Sequence, residues 1–168
     1  AQPLVVHHKG GGIALAHNGN LVNISEIRDK LEEEGVVFQT SIDSEIIANL
    51  IARYKKEGIE TAIKETMKRI QGSYALVITM ENKLIGVRDP HGLRPLCIGK
   101  IGEGYVISSE SCAFNILNAE FIRDVEPGEI VIIEDNEIKS IQCGQPSKKS
   151  LCSFEFVYFA RPDSVMDG

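Results

Sequence analysis

Two short stretches of this sequence carry side chains whose types and spacing suit chemistry on an amide. The first is Ala16-His17-Asn18-Gly19-Asn20-Leu21. An Asn carboxamide followed at once by a glycine N–H offers two neutral donors to a single oxygen, the arrangement that stabilises a developing oxyanion in acyl transfer. Asn18 and Gly19 are therefore candidate oxyanion-hole donors. The same pair also reads as a plain turn, since Asn-Gly is among the strongest turn dipeptides. The second stretch is Ser41-Ile42-Asp43-Ser44-Glu45, which precedes a helical apolar pattern. A carboxylate at a helix start is favoured by the helix dipole and can hold a ligand ammonium, or it can simply cap the helix. An oxyanion-type site together with an ammonium-binding Asp43 is the pair needed to attack the side-chain amide of a bound amino acid.

Other reactive residue types reduce to simpler roles. Adjacent His7 and His8 would point to opposite faces of a strand and have no third ligand nearby, so they read as a flexible polar segment and not as a metal site. Gly10-Gly11-Gly12 lacks the Lys-Ser/Thr of a phosphate loop and reads as a mobile connection. Arg88, Asp89 and Arg94, set around Pro90-His91-Gly92, are expected to brace a loop by ion pairing. The four cysteines, Cys97, Cys112, Cys143 and Cys152, show neither a CxxC pair nor a regular spacing. They read as reduced thiols, small apolar residues in the core for the first three.

The elements that must position Asn18 and Asp43 follow from period and punctuation. Ile13–Ala16 reads as a strand ending in a tight turn at 17–20. Asn23 with Glu26 suggests a capping box for a helix carrying Ile24, Ile27 and Leu31 up to Gly35. Ile46, Ile47, Leu50, Ile51 and Tyr54 give a second helix, and Ile59, Ala62, Ile63, Met67 and Ile70 a third. Beyond Gly72 the character is β: 73–80 and 83–87 form a hairpin about Glu81-Asn82, and strands follow at 95–99, 104–108, 121–125, 129–133 and 137–141. One or two helical turns fit 111–117, and the aromatics of 154–159 suggest a last strand. Helices bunched early and strands bunched late predict an α+β fold.

Composition narrows the partners. The chain has 168 residues, with 18 basic against 24 acidic side chains and a net charge of −6. That length suits one domain with a real core. The acidic balance gives no field for gripping a polyphosphate, so nucleic acid is not an expected partner. No apolar run reaches the roughly 18 residues of a membrane helix, so no membrane partner is expected either, and the cytoplasm is the expected location.

The motifs taken together resemble one family. Ala-Gln-Pro-Leu at 1–4, Ala-His-Asn-Gly-Asn-Leu-Val-Asn at 16–23, Ser-Ile-Asp-Ser-Glu at 41–45, Gly-Leu-Arg-Pro-Leu at 92–96, Ser-Ser-Glu-Ser-Cys-Ala-Phe at 108–114 and Phe-Ala-Arg-Pro-Asp-Ser at 159–164 occur in order along the chain. They are similar to the amidophosphoribosyltransferase family. The resemblance implies a class II glutaminase domain of the N-terminal-nucleophile type, a four-layer αββα sandwich of which this chain is a part. In that family a cysteine thiolate attacks the glutamine side chain, and the released ammonia displaces pyrophosphate from phosphoribosylpyrophosphate in de novo purine synthesis. It implies that Asn18 and Gly19 are the oxyanion donors and that Asp43 holds the glutamine α-amino group. The implied partners are glutamine, phosphoribosylpyrophosphate and further copies of the chain in a homo-oligomer.

The departures shape the expectation further. Residue 1 is Ala1, where the family's nucleophile would stand at the head of a longer segment, so the chain reads as truncated at both ends and, alone, as inactive. Residues 1–152 are expected to be part of the glutaminase domain, and 153–168 the start of the connection to a phosphoribosyltransferase domain. No cofactor is expected for the fragment, while Mg2+ and an iron–sulfur cluster are implied for the complete enzyme. Cys152 resembles one cluster ligand of one subgroup, and a single thiolate does not hold a cluster. Two other readings stay open: the glutaminase domain of a related amidotransferase such as glucosamine-6-phosphate synthase, and a non-catalytic binding or assembly module of the same fold.

Overall fold

Ile13, Leu15 and His17 are buried while the residues between them are less so, the period of a strand with one face on a core. In the computed structural model, which describes residues 2–8, 11–144, 150 and 152–166, this strand is β2 (Gly11–Leu21). It is paired on one side with β1 (Leu4–His8) and on the other with β3 (Gly72–Met80). The sheet continues through β4 (Lys83–Arg88), then β8 (Glu129–Glu134) and β9 (Glu137–Gln142), in the order β1-β2-β3-β4-β8-β9, with antiparallel neighbours throughout. A second sheet has the order β6-β5-β7, from β5 (Cys97–Ile101), β6 (Gly104–Ser108) and β7 (Glu120–Asp124).

Three helices cover one face of the larger sheet: α1 (Ile24–Glu33), α2 (Asp43–Tyr54) and α3 (Ile59–Arg69). Their apolar stripes, including Ile27, Leu31, Ile46, Leu50, Ile51 and Ile63, bury against Ile13, Leu15, Leu76, Ile78 and Ile85. Each such side chain contributes about 1.5–3 kcal/mol when fully buried. On the other face, Ala75, Val131 and Ile133 meet Leu96 and Ile98 of the second sheet. The fourth layer is α4 (Cys112–Leu117), beside β7. The fold is α+β, as the pattern of early helices and late strands predicts, and its layers of helix, sheet, sheet and helix are those the family resemblance implies.

Several local expectations are corrected. The strand does not turn at Asn18-Gly19: β2 pairs without a break from Ile13↔Met80 to Leu21↔Gly72. A long partner strand overrides the local turn preference of Asn-Gly. His7 and His8 lie in β1, opposite Gly12 and Gly11, and so belong to a regular ladder instead of a flexible segment. Of the three-glycine connection, Gly11 and Gly12 open β2, and Gly10 lies outside the described residues. Asn23 makes no cap bond; its amide donates to the Arg69 carbonyl at 2.8 Å and accepts from Gln71 N–H at 2.9 Å, tying the start of α1 to the end of α3. The aromatic stretch at 154–159 is helical, with a π-type turn over Glu155–Phe159 closed by Ala160 N–H to the Glu155 carbonyl at 2.8 Å. Glu155 is its buried residue, drawn inward by Arg94, so the element is set by one ion pair and not by aromatic alternation.

Candidate functional site

Alternation along β2 sends His17 to the helical face, beside Ile13 and Leu15, and Asn18 to the opposite side. Asn18 lines a cavity of about 120 Å³ with Gln2, Ala16, His17, Ala75, Val77, Leu96 and Ser109. The cavity is thus walled by β2, β3 and the two loops that bring in Leu96 and Ser109. Gly19 follows with φ +145, and a Cβ placed there would lie 2.1 Å from the Ser73 carbonyl oxygen. No side chain fits that approach. On the facing strand Gly72 has φ +137, and a Cβ there would lie 2.3 Å from the Asn20 carbonyl oxygen.

Asp43 is the first residue of α2, and its Oδ1 stands 3.2 Å from His17 Nδ1. It makes no cap bond to the helix; Glu45, in the same first turn, reaches back to the preceding loop, its carboxylate accepting from Gln39 N–H and Thr40 N–H at 2.8 Å each and from Thr40 Oγ1 at 2.6 Å. Burial opposes the charge on Glu45, yet these three donors hold its carboxyl below the usual range. Burial pulls the His17 imidazole below its ordinary value, and the Asp43 carboxylate works against that pull. Among the described residues, none hydrogen-bonds the buried His17 Nε2. Asp43 is thus in contact with the residue before Asn18 and is not among those that line the Asn18 cavity. The sequence reading passed over His17, although its inward place after Ile13 and Leu15 marks a polar side chain that needs a partner.

The backbone around Asn18 is held from both edges. On one side it pairs with Ala75 of β3. On the other, the Gln2 carboxamide donates from Nε2 to the His17 carbonyl at 2.7 Å and accepts at Oε1 from His17 N–H at 2.9 Å.

Loop 89–96 brings Leu96 to the cavity, and it is organised more by peptide groups than by the expected ion pairs. Asp89, fully buried, accepts from the N–H groups of His91 at 2.9 Å, Leu93 at 3.2 Å and Arg94 at 3.1 Å. Arg88 donates to the carbonyls of Arg94, Gly92 and Val125. Arg94 forms an ion pair as expected, with Glu155, and its guanidinium also stands 5.0 Å from the centre of the Phe159 ring. Loop 109–111 supplies Ser109 to the cavity, while Glu110 accepts from Arg161 N–H at 3.1 Å and Ser111 Oγ from Val165 N–H at 2.7 Å. One short loop thus contacts both the cavity and the last described segment.

None of the four cysteines is among the described residues that line this cavity. Cys97 is buried, donates to the Ser108 carbonyl at 3.2 Å, and has its thiol pushed up to about 12 by burial and then by Asp124. Cys112 is buried, with its thiol directed to Glu110, and burial raises Cys143. Cys152 is half-buried beside Arg88, Gly92, Leu93 and Glu155. Among the described residues no group of three or more His, Cys, Asp or Glu side chains could hold a metal ion. One thiolate at Cys152 does not make a cluster site by itself. Among the same residues no helix is long and apolar enough to cross a membrane.

Against known proteins, residues 1–115 match a family model described as a glutamine amidotransferase domain. The chain is 48% identical over 170 residues to the amidophosphoribosyltransferase of Archaeoglobus fulgidus, spanning all of this chain and 37% of that protein. It is 45% identical over 168 residues to the amidophosphoribosyltransferase of Bacillus subtilis, spanning 99% of this chain and 35% of that one. The chain thus covers little more than a third of these relatives. Among solved structures it is similar to the glutamine phosphoribosylpyrophosphate amidotransferase from B. subtilis complexed with ADP and GMP, with a TM-score of 0.94 and 45% identity over 99% of this chain and 37% of that one. A glutamine aminotransferase class-II domain protein from Silicibacter pomeroyi, 14% identical over 79% of this chain and 66% of that one, shares the fold with a TM-score of 0.60.

Proposed function

This chain belongs to the glutamine amidotransferase domain family, and from that premise we propose that it forms the glutamine-hydrolysing part of an amidophosphoribosyltransferase. In this reading the side-chain amide of glutamine enters the cavity beside Asn18. Attack on its carbonyl carbon places negative charge on the oxygen, and the Asn18 carboxamide and the Gly19 N–H donate to it. Asp43, steadied by His17, holds the α-ammonium and so orients the substrate. The ammonia released passes to phosphoribosylpyrophosphate, which yields phosphoribosylamine for purine synthesis. Residues 1–152 belong to the glutaminase unit, and 153–168 lead toward the phosphoribosyltransferase part of the complete gene product. Mg2+, an iron–sulfur cluster with Cys152 as one ligand, and association of copies belong to that complete product.

The observation that carries this reading is the 3.2 Å contact between His17 and Asp43. It joins two motifs 26 positions apart in sequence (43 − 17) at the residue adjoining Asn18. The nucleophile is not one of the thiols described above, because none of them lines the Asn18 cavity, and the buried Cys97 thiol, pushed up to about 12, is not ionised at neutral pH. The 168-residue polypeptide by itself is therefore expected to bind glutamine without releasing ammonia. Calorimetric titration with glutamine tests the binding half. Asp43→Asn is expected to weaken affinity by roughly tenfold, the scale of one lost charge-assisted hydrogen bond. Unchanged affinity in Asp43→Asn refutes the assignment of Asp43, and ammonia release by the 168-residue polypeptide refutes the assignment of the nucleophile.

A further inference from the structure

We propose that Gln2 is a positioning residue for the oxyanion donors: its carboxamide stands in for a missing rung of the sheet and fixes the peptide units leading into Asn18, whose carboxamide and following Gly19 N–H are those donors. The inference rests on the reading of Asn18 and Gly19 given above. The β1–β2 ladder runs from His8↔Gly11 to Leu4↔Leu15, so paired positions add to 19. Continued in the same register, position 3 would face Ala16 and position 2 would face His17. His17 turns its N–H and carbonyl toward β1, so Ala16 turns its own toward β3 and position 3 falls at a non-hydrogen-bonded pair, where Pro3 costs the ladder nothing; the next rung is due at position 2. There the side chain takes over. Gln2 Nε2 donates to the His17 carbonyl at 2.7 Å and Oε1 accepts from His17 N–H at 2.9 Å, the donor-and-acceptor pair that a backbone residue would have presented.

The consequence lies in the planarity of the peptide. The His17 carbonyl and the Asn18 N–H share one rigid plane, and the His17 N–H belongs to the plane before it. Holding both groups of His17 fixes the two peptide planes leading into Asn18. The opposite edge is held by β3, through the pairs His17↔Leu76 and Asn18↔Ala75. Gln2 also lines the Asn18 cavity, so the clamp sits at the site and not at a distance from it. Because an oxyanion donor acts on charge that appears in the transition state, loosening its backbone lowers kcat and leaves ground-state binding of glutamine nearly unchanged.

The test uses glutaminase kinetics of the complete gene product, with Gln2→Met, which keeps the length of the side chain and removes both hydrogen bonds, and Gln2→Ala beside it. The expected result is a fall in kcat of about tenfold with KM changed by less than about twofold. Hydrogen exchange at the His17 amide is expected to speed up in both variants. Asn18→Ala serves as the reference. If Asn18→Ala lowers kcat and Gln2→Met leaves it unchanged, the Gln2 inference is wrong and the oxyanion reading survives. If Asn18→Ala itself leaves kcat unchanged, the oxyanion reading fails first. A loss in Gln2→Met shared between kcat and KM, tracking a lower melting temperature, marks Gln2 as merely structural and overturns the inference as well.

Discussion

Replacing Gly19 by alanine tests whether β2 really passes Asn18 against β3 at a distance no side chain tolerates. A Cβ at Gly19 would lie 2.1 Å from the Ser73 oxygen, 2.8 Å from its carbonyl carbon and 2.9 Å from Tyr74 Cα, all backbone atoms without rotamers to yield. Relief requires the strands to part by about 1 Å, given ordinary contact distances. A shift of that size takes neighbouring ladder bonds out of range. Two such bonds at about 0.5–1.5 kcal/mol each, with about 1–3 kcal/mol for a non-glycine residue held at φ +145, give a loss of roughly 2–6 kcal/mol. For a protein of this size that lowers the melting temperature by on the order of 10 °C. Gly12→Ala, on the same strand, is the comparison, because a Cβ there meets His7 Nδ1 at an ordinary 3.6 Å. It is expected to stay within about 0.5 kcal/mol of the parent. Thermal melts followed by circular dichroism decide the matter: two variants melting within about 2 °C of each other would falsify the close-approach argument.

Glu129 is buried on β8, where Arg123 holds it at 2.8 and 2.7 Å and Ser140 Oγ donates at 2.6 Å; Arg123→Ala should cost about 2 kcal/mol, reduced from the value for a fully buried pair because Arg123 is partly exposed, and an unmoved urea midpoint would rule this out. Burial opposes the charge of Glu129, but Arg123 and Ser140 hold its carboxyl below the ordinary 4.5, so its stabilisation is complete above that pH and is lost as pH falls through the folded value. His17 also has a folded value below its ordinary 6.5, with burial outweighing Asp43, so the unfolded chain binds the proton more readily and stability should fall as pH drops below about 6.5. His17→Gln should flatten that slope in denaturant titrations between about pH 7 and 5, and an equally steep slope in the variant would point to another group.

The sheet strands from 73 onward and the three long helices were legible because their periods are clean and their ends carry Gly, Pro or Asn. Where the reading failed, a distant partner outweighed a local preference. Asn18-Gly19 reads as a turn until nine residues of β3 pair with that strand, and Phe154–Phe159 reads as a strand until Glu155 is drawn to Arg94. The candidate site was half legible. Asn18 and Asp43 stand out by residue type, and their link through His17 is a tertiary fact that no spacing reveals. Asp89 was expected to form ion pairs, yet its carboxylate is satisfied by the N–H groups of the loop that follows it. Gln2 carried no signal beyond its place in a motif, since its importance comes from the strand opposite.

The paired glycines of β2 and β3 also forbid slippage. Gly19 sits against Ser73 and Gly72 against Asn20, so each strand has one notch and the other strand fills it. Sliding β2 by a single position would push Asn18 or Asn20 into a notch with no room for a side chain, and would exchange His17 and Asn18 between the two faces of the sheet. The alignment that places an amide on one side and an imidazole on the other is thus keyed by two absent methyl groups. A folding chain that mispairs these strands meets the penalty at once, before any ligand is present.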